Sequence, residues 1–304
     1  MKIIISLFCI FSGIGNLLYA QGCSDAGICS IPGFRPGQHN ASREVKGSLN
    51  FGMALGMGDQ TIMSVSPYFS GTQNWSKTFG YDVRINAVFN TGNGISVLGG
   101  GDGFLNLNFR PATAFGFSAG IKVPFSKADR AEDGKPLPMD YQTSLGSMDL
   151  ITGMTYRTAS WLIVLAYQQP LSQNQNKYDP QLWAGDSIMS SFQETNNFQR
   201  SGDIMARLAY QFRVGEKINL TAGVVPIYHI EEDTYFEEGS GFLPIQGSDG
   251  LTINASLYFE IKMREKNSLG INLGFPLLVR DVRPDGLTRS FVLGVEYQIP
   301  TFRN

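Results

Sequence analysis

The stretch GYDVRINAVFNTGNG, residues 80–94, changes character at nearly every step. Tyr81, Val83, Ile85, Ala87 and Phe89 are apolar, and Asp82, Arg84, Asn86 and Asn90 among them are polar. A side-chain period of two belongs to a β-strand, so this segment carries one apolar wall and one polar wall. The pattern recurs down the chain. Twelve strand-like segments are predicted, near 44–57, 61–70, 80–94, 102–110, 115–125, 145–157, 160–170, 200–213, 217–230, 250–263, 267–279 and 288–302.

Composition decides what can touch the two walls. Charged residues make up 16% of the chain, against about 25% in typical soluble domains, while aromatics reach 12% and there are 35 glycines. The first twenty residues, MKIIISLFCIFSGIGNLLYA, hold one lysine, an apolar run from Ile3 to Ile14 and small residues before Ala20. They are predicted to be a signal peptide, residues 1–20, leaving Gln21 as the new N-terminus. The rival reading makes Gly22-Cys23 the end of a lipobox, which Gln21 fits poorly. Beyond the signal no run approaches the roughly 18 apolar residues of a membrane helix. An exported, glycine-rich chain of alternating strands without such a helix points to a transmembrane antiparallel β-barrel of about 12 strands, because closure pairs every backbone group in hydrocarbon. The barrel is expected over residues 44–304, in the outer membrane of a Gram-negative bacterium. Lipid and lipopolysaccharide are its expected surroundings. The competing fold is a soluble β-sandwich or lipocalin-like barrel, whose apolar faces point inward. Glycines on the polar faces and aromatics near strand ends favour the membrane. A formal net charge of −2 speaks against nucleic acid as a partner.

An even strand number brings both chain ends to one side. From the sixth strand onward, short turns at 158–160, 213–217 and 264–267 alternate with long loops at 171–198, 231–249 and 280–287, and 126–143 is long as well. Outer-membrane barrels keep short turns in the periplasm and long loops outside, so the long set is assigned to the exterior. The tight first hairpin and the connection GTQNWSKT, residues 71–78, are exceptions.

With apolar faces toward lipid, the lumen is expected to contain Asp82, Arg84, Asn86, Asn106, Asn108, Arg110, Lys122, Asp149, Arg157, Asp203, Arg207, His229, Glu260, Lys262 and Glu296. Such mixed charge either cross-links the wall or lines an aqueous path. A bore between that of filled eight-stranded barrels and open porins of about sixteen strands implies partial obstruction. His229 either titrates near neutral pH and gates the pore or is a hydrogen-bonded wall residue. In the loop YDPQLWAGDSIMSSFQETNNF, Tyr178, Trp183, Ile188, Met189 and Phe192 form either an apolar capture site at the outer mouth or a lid packed over the barrel. The acidic run EEDTYFEEG, 231–239, reads as a solvated loop, with a divalent cation shared with lipopolysaccharide as the alternative.

Residues 21–43 precede the barrel. Their two cysteines, Cys23 and Cys29, are expected to form a local disulfide in an exported chain; free thiols or a lipidated Cys23 are the alternatives. No catalytic group, metal site or cofactor is predicted. GGGDG is followed by more strand and lacks the helix of a dinucleotide fingerprint. No GxSxG elbow occurs, and the histidines after the signal are His39 and His229. The final strand SFVLGVEYQIPTF has the aromatic character that a barrel-assembly machinery reads.

Three segments in order, GGGDGFLNLNFRPATAFGFSAGIKVPF (99–125), LGSMDLITGMTYRTASWLIVLAYQQPL (145–171) and RSGDIMARLAYQF (200–212), resemble the MetA-pathway of phenol degradation family of outer-membrane proteins. That family is distantly related to long-chain fatty-acid transporters. The cues are Gly101-Asp102 at a strand start, Lys122-Val123-Pro124 at a strand end, and the LGSMDLITG and SGDIMARLAY strands. The resemblance implies a channel that passively admits small hydrophobic or aromatic compounds. A structural or adhesive barrel without transport is the alternative. By analogy with the fatty-acid transporters, residues 21–43 plug the barrel; a plain periplasmic leader is the other reading.

Overall fold

The protein is described from a computed structural model, in which residues 31–36, 45–263, 266–285 and 289–302 are described. The signal segment, Cys23 and Cys29, His39 and Arg303-Asn304 lie outside the described residues.

In chain order the strands are β1 (Val45–Gly58), β2 (Met63–Asn74), β3 (Phe79–Gly92), β4 (Ile95–Phe109), β5 (Phe115–Pro124), β6 (Ala131–Glu132), β7 (Lys135–Pro136), β8 (Asp149–Arg157), β9 (Trp161–Pro170), β10 (Asp203–Val214), β11 (Ile218–His229), β12 (Thr234–Glu237), β13 (Gly241–Pro244), β14 (Gly250–Lys262), β15 (Ser268–Leu278) and β16 (Arg289–Phe302). Twelve of them form a closed antiparallel barrel in the order β1-β16-β15-β14-β11-β10-β9-β8-β5-β4-β3-β2. The short pairs β6-β7 and β12-β13 are hairpins within loops. β16 returns to β1 from Val45 opposite Phe302 to Gly58 opposite Arg289, so the sheet has no open edge.

The outward face is apolar throughout. Phe51, Val83, Ile85, Leu105, Leu107, Phe117, Met154, Ile163, Leu165, Leu208, Phe275 and Val295 all stand exposed around the wall. A belt of this extent belongs in hydrocarbon. Near the turn end aromatics meet across strands: Phe79 with Phe109 at 4.9 Å, Phe115 with Tyr156 at 4.9 Å and Trp161 with Tyr210 at 4.8 Å between ring centroids. They form the girdle of amphipathic and aromatic side chains expected at a membrane interface.

The connections correct the sequence reading in two places. GTQNWSKT is half strand, since β2 runs to Asn74 and β3 starts at Phe79, which leaves a four-residue turn. Every connection at the turn end is therefore short. At the other end, residues 95–101 are not a loop. Asn93 (φ 52°) and Gly94 (φ 80°) make a tight turn, and β4 takes in GGGDG as strand. A register shift opposite Asn86 lets the Asp102 amide donate to Asn86 Oδ1 at 2.9 Å. The extra residue flips the face of β4, so Ile95 and Val97 point inward above it and Phe104, Asn106 and Asn108 below it. The long connections, 125–148, 171–202, 230–249 and, of the last, the described residues 279–285, all rise over the arc from β5 round to β16.

The lumen is polar on one arc and apolar on the other. Ser48, Asn50, Ser64, Ser66 and Ser70 on β1 and β2, with Thr252 and Asn254 on β14, are buried and polar. On β9 both faces are apolar: Leu162, Val164 and Ala166 point inward, opposite Ile163 and Leu165. They join Phe104, Ile151, Met205, Ala209 and Val225 in one buried cluster. The expectation of a uniformly polar lumen is thus corrected on this arc.

Candidate functional site

Four layers fill the lumen, beginning at the turn end. The first is a cavity of about 400 Å³ lined by, among others, Gly33, Asp82, Asn108, Arg110 and Arg157. Asn108 donates to Asp82 Oδ1 at 2.7 Å, and Arg110 donates to Asn74.

The second layer is the described part of the N-terminal segment. Pro32–Phe34 form a single 3-10 turn, for which the proline ring presets the backbone. Phe34 is 0% exposed and packs with Ile31 into the apolar cluster of the wall. Its ring lies against Gly153, where a Cβ would come within 2.6 Å of Phe34 Cζ, so only glycine allows this approach. The Gly33 carbonyl accepts from Arg157 at 3.2 Å. Arg35 pairs with Glu296 at 3.0 Å on the opposite arc, where the Tyr68 hydroxyl donates to the same carboxylate oxygen at 2.9 Å. The Arg84 guanidinium lies 3.7 Å from the Tyr68 ring centroid, a cation–π contact.

The third layer is a chain of buried charges under the loops. Lys122 Nζ and Arg200 reach Asp149 Oδ2 at 2.8 and 3.0 Å. Ser147 at 2.7 Å and Gln168 also donate to this carboxylate. Arg200 continues to Asp203, and His229 stands between Asp203 and Asp233, each ring nitrogen 2.8 Å from a carboxylate oxygen. Buried ions are tolerable when this many partners replace their water. Beside them Arg280 bonds Asp285 at 2.6 Å. Burial opposes ionisation of Asp285, but Arg280, Arg200 and His229 outweigh it and hold the carboxyl well below the usual range.

The fourth layer is the cap. Tyr141, Leu137 and Met189 from two long loops are buried against Ile62, Ile95 and Val97 of the strand ends, with Trp183 and Phe192 packed at the side. Polar contacts interlock the loops: Asn176 Nδ2 donates to the Ala128 and Leu137 carbonyls at 2.9 and 3.0 Å, and Trp183 Nε1 to Pro136 at 2.9 Å.

Of the predicted lumen residues, Asp82, Asn106, Asn108, Lys122, Asp149, Asp203, Arg207, His229, Glu260 and Glu296 are buried inside. Arg84, Asn86, Arg110 and Arg157 face inward through the contacts above and the Asn86 bond to Ser66 at 3.2 Å. Glu260 accepts from Asn219 at 2.8 Å. Lys262, the last residue of β14, shares the face of Glu260 and is exposed at the strand end. At the mouth Tyr178 and Met189 are fully buried, Trp183 and Phe192 half-buried, and only Ile188 is 39% exposed. Part of the loop thus packs over the barrel, while Leu182 and Ile188 stay exposed on its outer side. Sequence reasoning missed Arg200 and Asp233, which sit just outside strands and carry no periodic signal. It also missed the apolar partners of Phe34, whose inward direction on β9 is masked by an apolar outward face. The described residues hold no group of three His, Cys, Asp or Glu able to take a metal ion.

A closed twelve-stranded antiparallel barrel with an apolar belt, its first strand starting and its last strand ending at the short-turn end, is an outer-membrane β-barrel. Among solved structures, the COG4313 outer membrane channel from Pseudomonas putida F1 shares this fold, with a TM-score of 0.56 and 13% identity over 88% of this chain and 99% of that one. The fold is the one implied by the resemblance to the phenol-degradation family. The CymD monoaromatic hydrocarbon channel aligns at a TM-score of 0.46 and 11% identity over 96% of both chains, and a Pseudomonas aeruginosa FadL homologue at 0.42 and 9% over 83% and 89%. No protein-family model and no curated protein matches the chain.

Proposed function

We propose that this barrel is an outer-membrane channel that passively admits small hydrophobic or aromatic compounds and is drawn here in its closed form. It does no catalysis in this reading, and lipopolysaccharide and the barrel-assembly machinery are its partners. One observation carries the proposal: the lumen has an apolar stripe, Phe104, Ile151, Leu162, Val164, Met205 and Val225, which a purely structural barrel has no need to keep on its inner wall. Ile31 and Phe34 cover the stripe and act as a plug, and the cap acts as an outer lid. The shared fold with an outer-membrane channel is consistent with this reading.

A second reading, a sealed structural or adhesive barrel, is favoured by the buried ionic chain beneath the loops. Planar-bilayer conductance and liposome uptake of phenol separate the two, comparing the mature chain with one lacking residues 21–43. A silent intact chain that conducts and admits phenol after truncation is expected. Correctly folded barrels that stay silent and exclude phenol in both forms would sink the channel reading and leave the sealed barrel.

A further inference from the structure

Inside the apolar stripe sits a cation with no counter-ion among the described residues. Arg207 is on β10, between the inward-facing Met205 and Ala209 and opposite Val164 of β9. It is 5% exposed, its Nε has no partner, and among the described residues none pairs with or accepts a hydrogen bond from its guanidinium. The charges it feels most are two further arginines, Arg35 and Arg157. Glu296 answers Arg35, whereas among the described residues Arg157 bonds the neutral carbonyl of Gly33. An isolated buried cation is costly, and an anion that pairs with it offsets that cost.

The N-terminal segment shows the shape of that anion. Gly33 and Phe34 together place a carbonyl oxygen on Arg157 and an aromatic ring on the apolar stripe, against Gly153. They fill an amphipathic site with a ring at one end and an oxygen acceptor at the other.

We propose that Gly33-Phe34 is a built-in stand-in for a small aromatic carboxylate, which binds with its ring on the stripe and its carboxylate between Arg157 and Arg207. This rests on the channel reading for its biological setting but names a ligand class that reading leaves open. The Gly33 carbonyl, being neutral, satisfies Arg157 and leaves Arg207 unanswered; a carboxylate answers both. Bidentate guanidinium–carboxylate bonds are the stronger kind. The same carboxylate excludes neutral arenes from the full benefit of the site.

The test is calorimetric titration of the detergent-solubilised mature chain with benzoate and, as the neutral counterpart, benzyl alcohol. Benzoate binding is expected in the parent. Phe34→Ala, which vacates the ring position, should tighten benzoate about tenfold, and Arg207→Met should weaken it by at least about tenfold while leaving benzyl alcohol unchanged. Arg207→Lys should fall between. Heat-modified gel mobility checks that each variant is folded. Benzoate binding that is absent in both the parent and Phe34→Ala, or indifferent to Arg207→Met, overturns the proposal. So does an equal loss of both ligands in Arg207→Met, which would make Arg207 a packing residue. Because binding is read without transport, silent conductance would sink the channel reading and leave this result standing.

Discussion

The two arcs of the barrel wall use the same backbone and opposite interiors. On β1 and β2 the inward face is Ser, Asn and Tyr68, the connections at the loop end are tight, and the interior is hydrogen-bonded. From β8 to β11 the inward face is largely apolar, with charges only near the strand ends and at Arg207, and long loops cover it. The outward faces of the two arcs are alike. The membrane thus constrains one side of every strand, and the other side is free to be specialised. In this chain the apolar arc seats Ile31 and Phe34, while the opposite arc holds the same segment through Arg35 and Glu296.

Four effects, from largest to smallest, put that contrast at risk. The largest effect is expected at the strand ends of the apolar arc. Asp149→Ala leaves Lys122 and Arg200 buried without their shared carboxylate, and loss of one partner from a buried ionic group costs about 3–5 kcal/mol. Urea unfolding of the refolded barrel should show it, and an equal-sized loss for Ser66→Ala on the polar arc would erase the distinction. Next is the outward face. Leu165→Arg on β9 should cost about 2–4 kcal/mol in bilayers, the range for arginine near the membrane midplane. Its inward neighbour Leu162→Ala should cost about 2 kcal/mol through lost packing. A neutral Leu165→Arg would mean that this face does not meet lipid.

The third effect is pH-dependent. Asp285 has a folded pKa depressed below its unfolded value, so its contribution is complete above the unfolded carboxylate value, about 3.9, and is lost as pH falls below it toward the depressed value. Proteolytic cleavage of loop 279–288 should therefore rise as pH drops below about 4 and be insensitive to pH between about 5 and 8. An Asp285→Asn chain, permanently opened there, should lose the dependence. The smallest effect concerns Glu194 in the cap, whose carboxyl is pushed up to about 6 by partial burial and then by Asp179 and Glu237. A raised pKa penalises the folded state as pH climbs through that value, so Glu194→Gln should slightly stabilise the cap at pH 7 and do nothing at pH 4. A destabilised variant would show that the carboxylate has a partner that favours its charge.

The barrel was legible in the sequence because lipid imposes one apolar side on each strand, and a period of two makes that side visible. Strand number and the inward position of Asp149, Asp203, His229 and Glu296 follow from it, and the alternation of connection lengths places the long loops at one end. What was hidden has specific causes. β9 is apolar on both faces, so Leu162 and Val164 carry no alternation to read. The register shift at Asn86 exchanges the faces of β4 midway, and glycines at 99–101 conceal the change. Arg200 and Asp233 meet His229 through tertiary closure of loops, which no local spacing encodes. The lumenal position of Ile31 and Phe34 depends on contacts with five different strands and has no signature in PGF itself.

Arg35 and Glu296 join positions 261 residues apart, one ahead of the first strand and the other on the last. Strand β16 also makes the final seam with β1, the pairing of longest sequence separation and so the one with the greatest loop-closure cost. The segment therefore spans the bore, with Ile31 and Phe34 seated on the apolar arc and Arg35 on the last strand. A sheet without β16 keeps the first attachment and lacks the second. The segment is in this sense a strut as well as an obstruction, tying the closing strand to the far wall by side chains where the seam ties it to β1 by backbone.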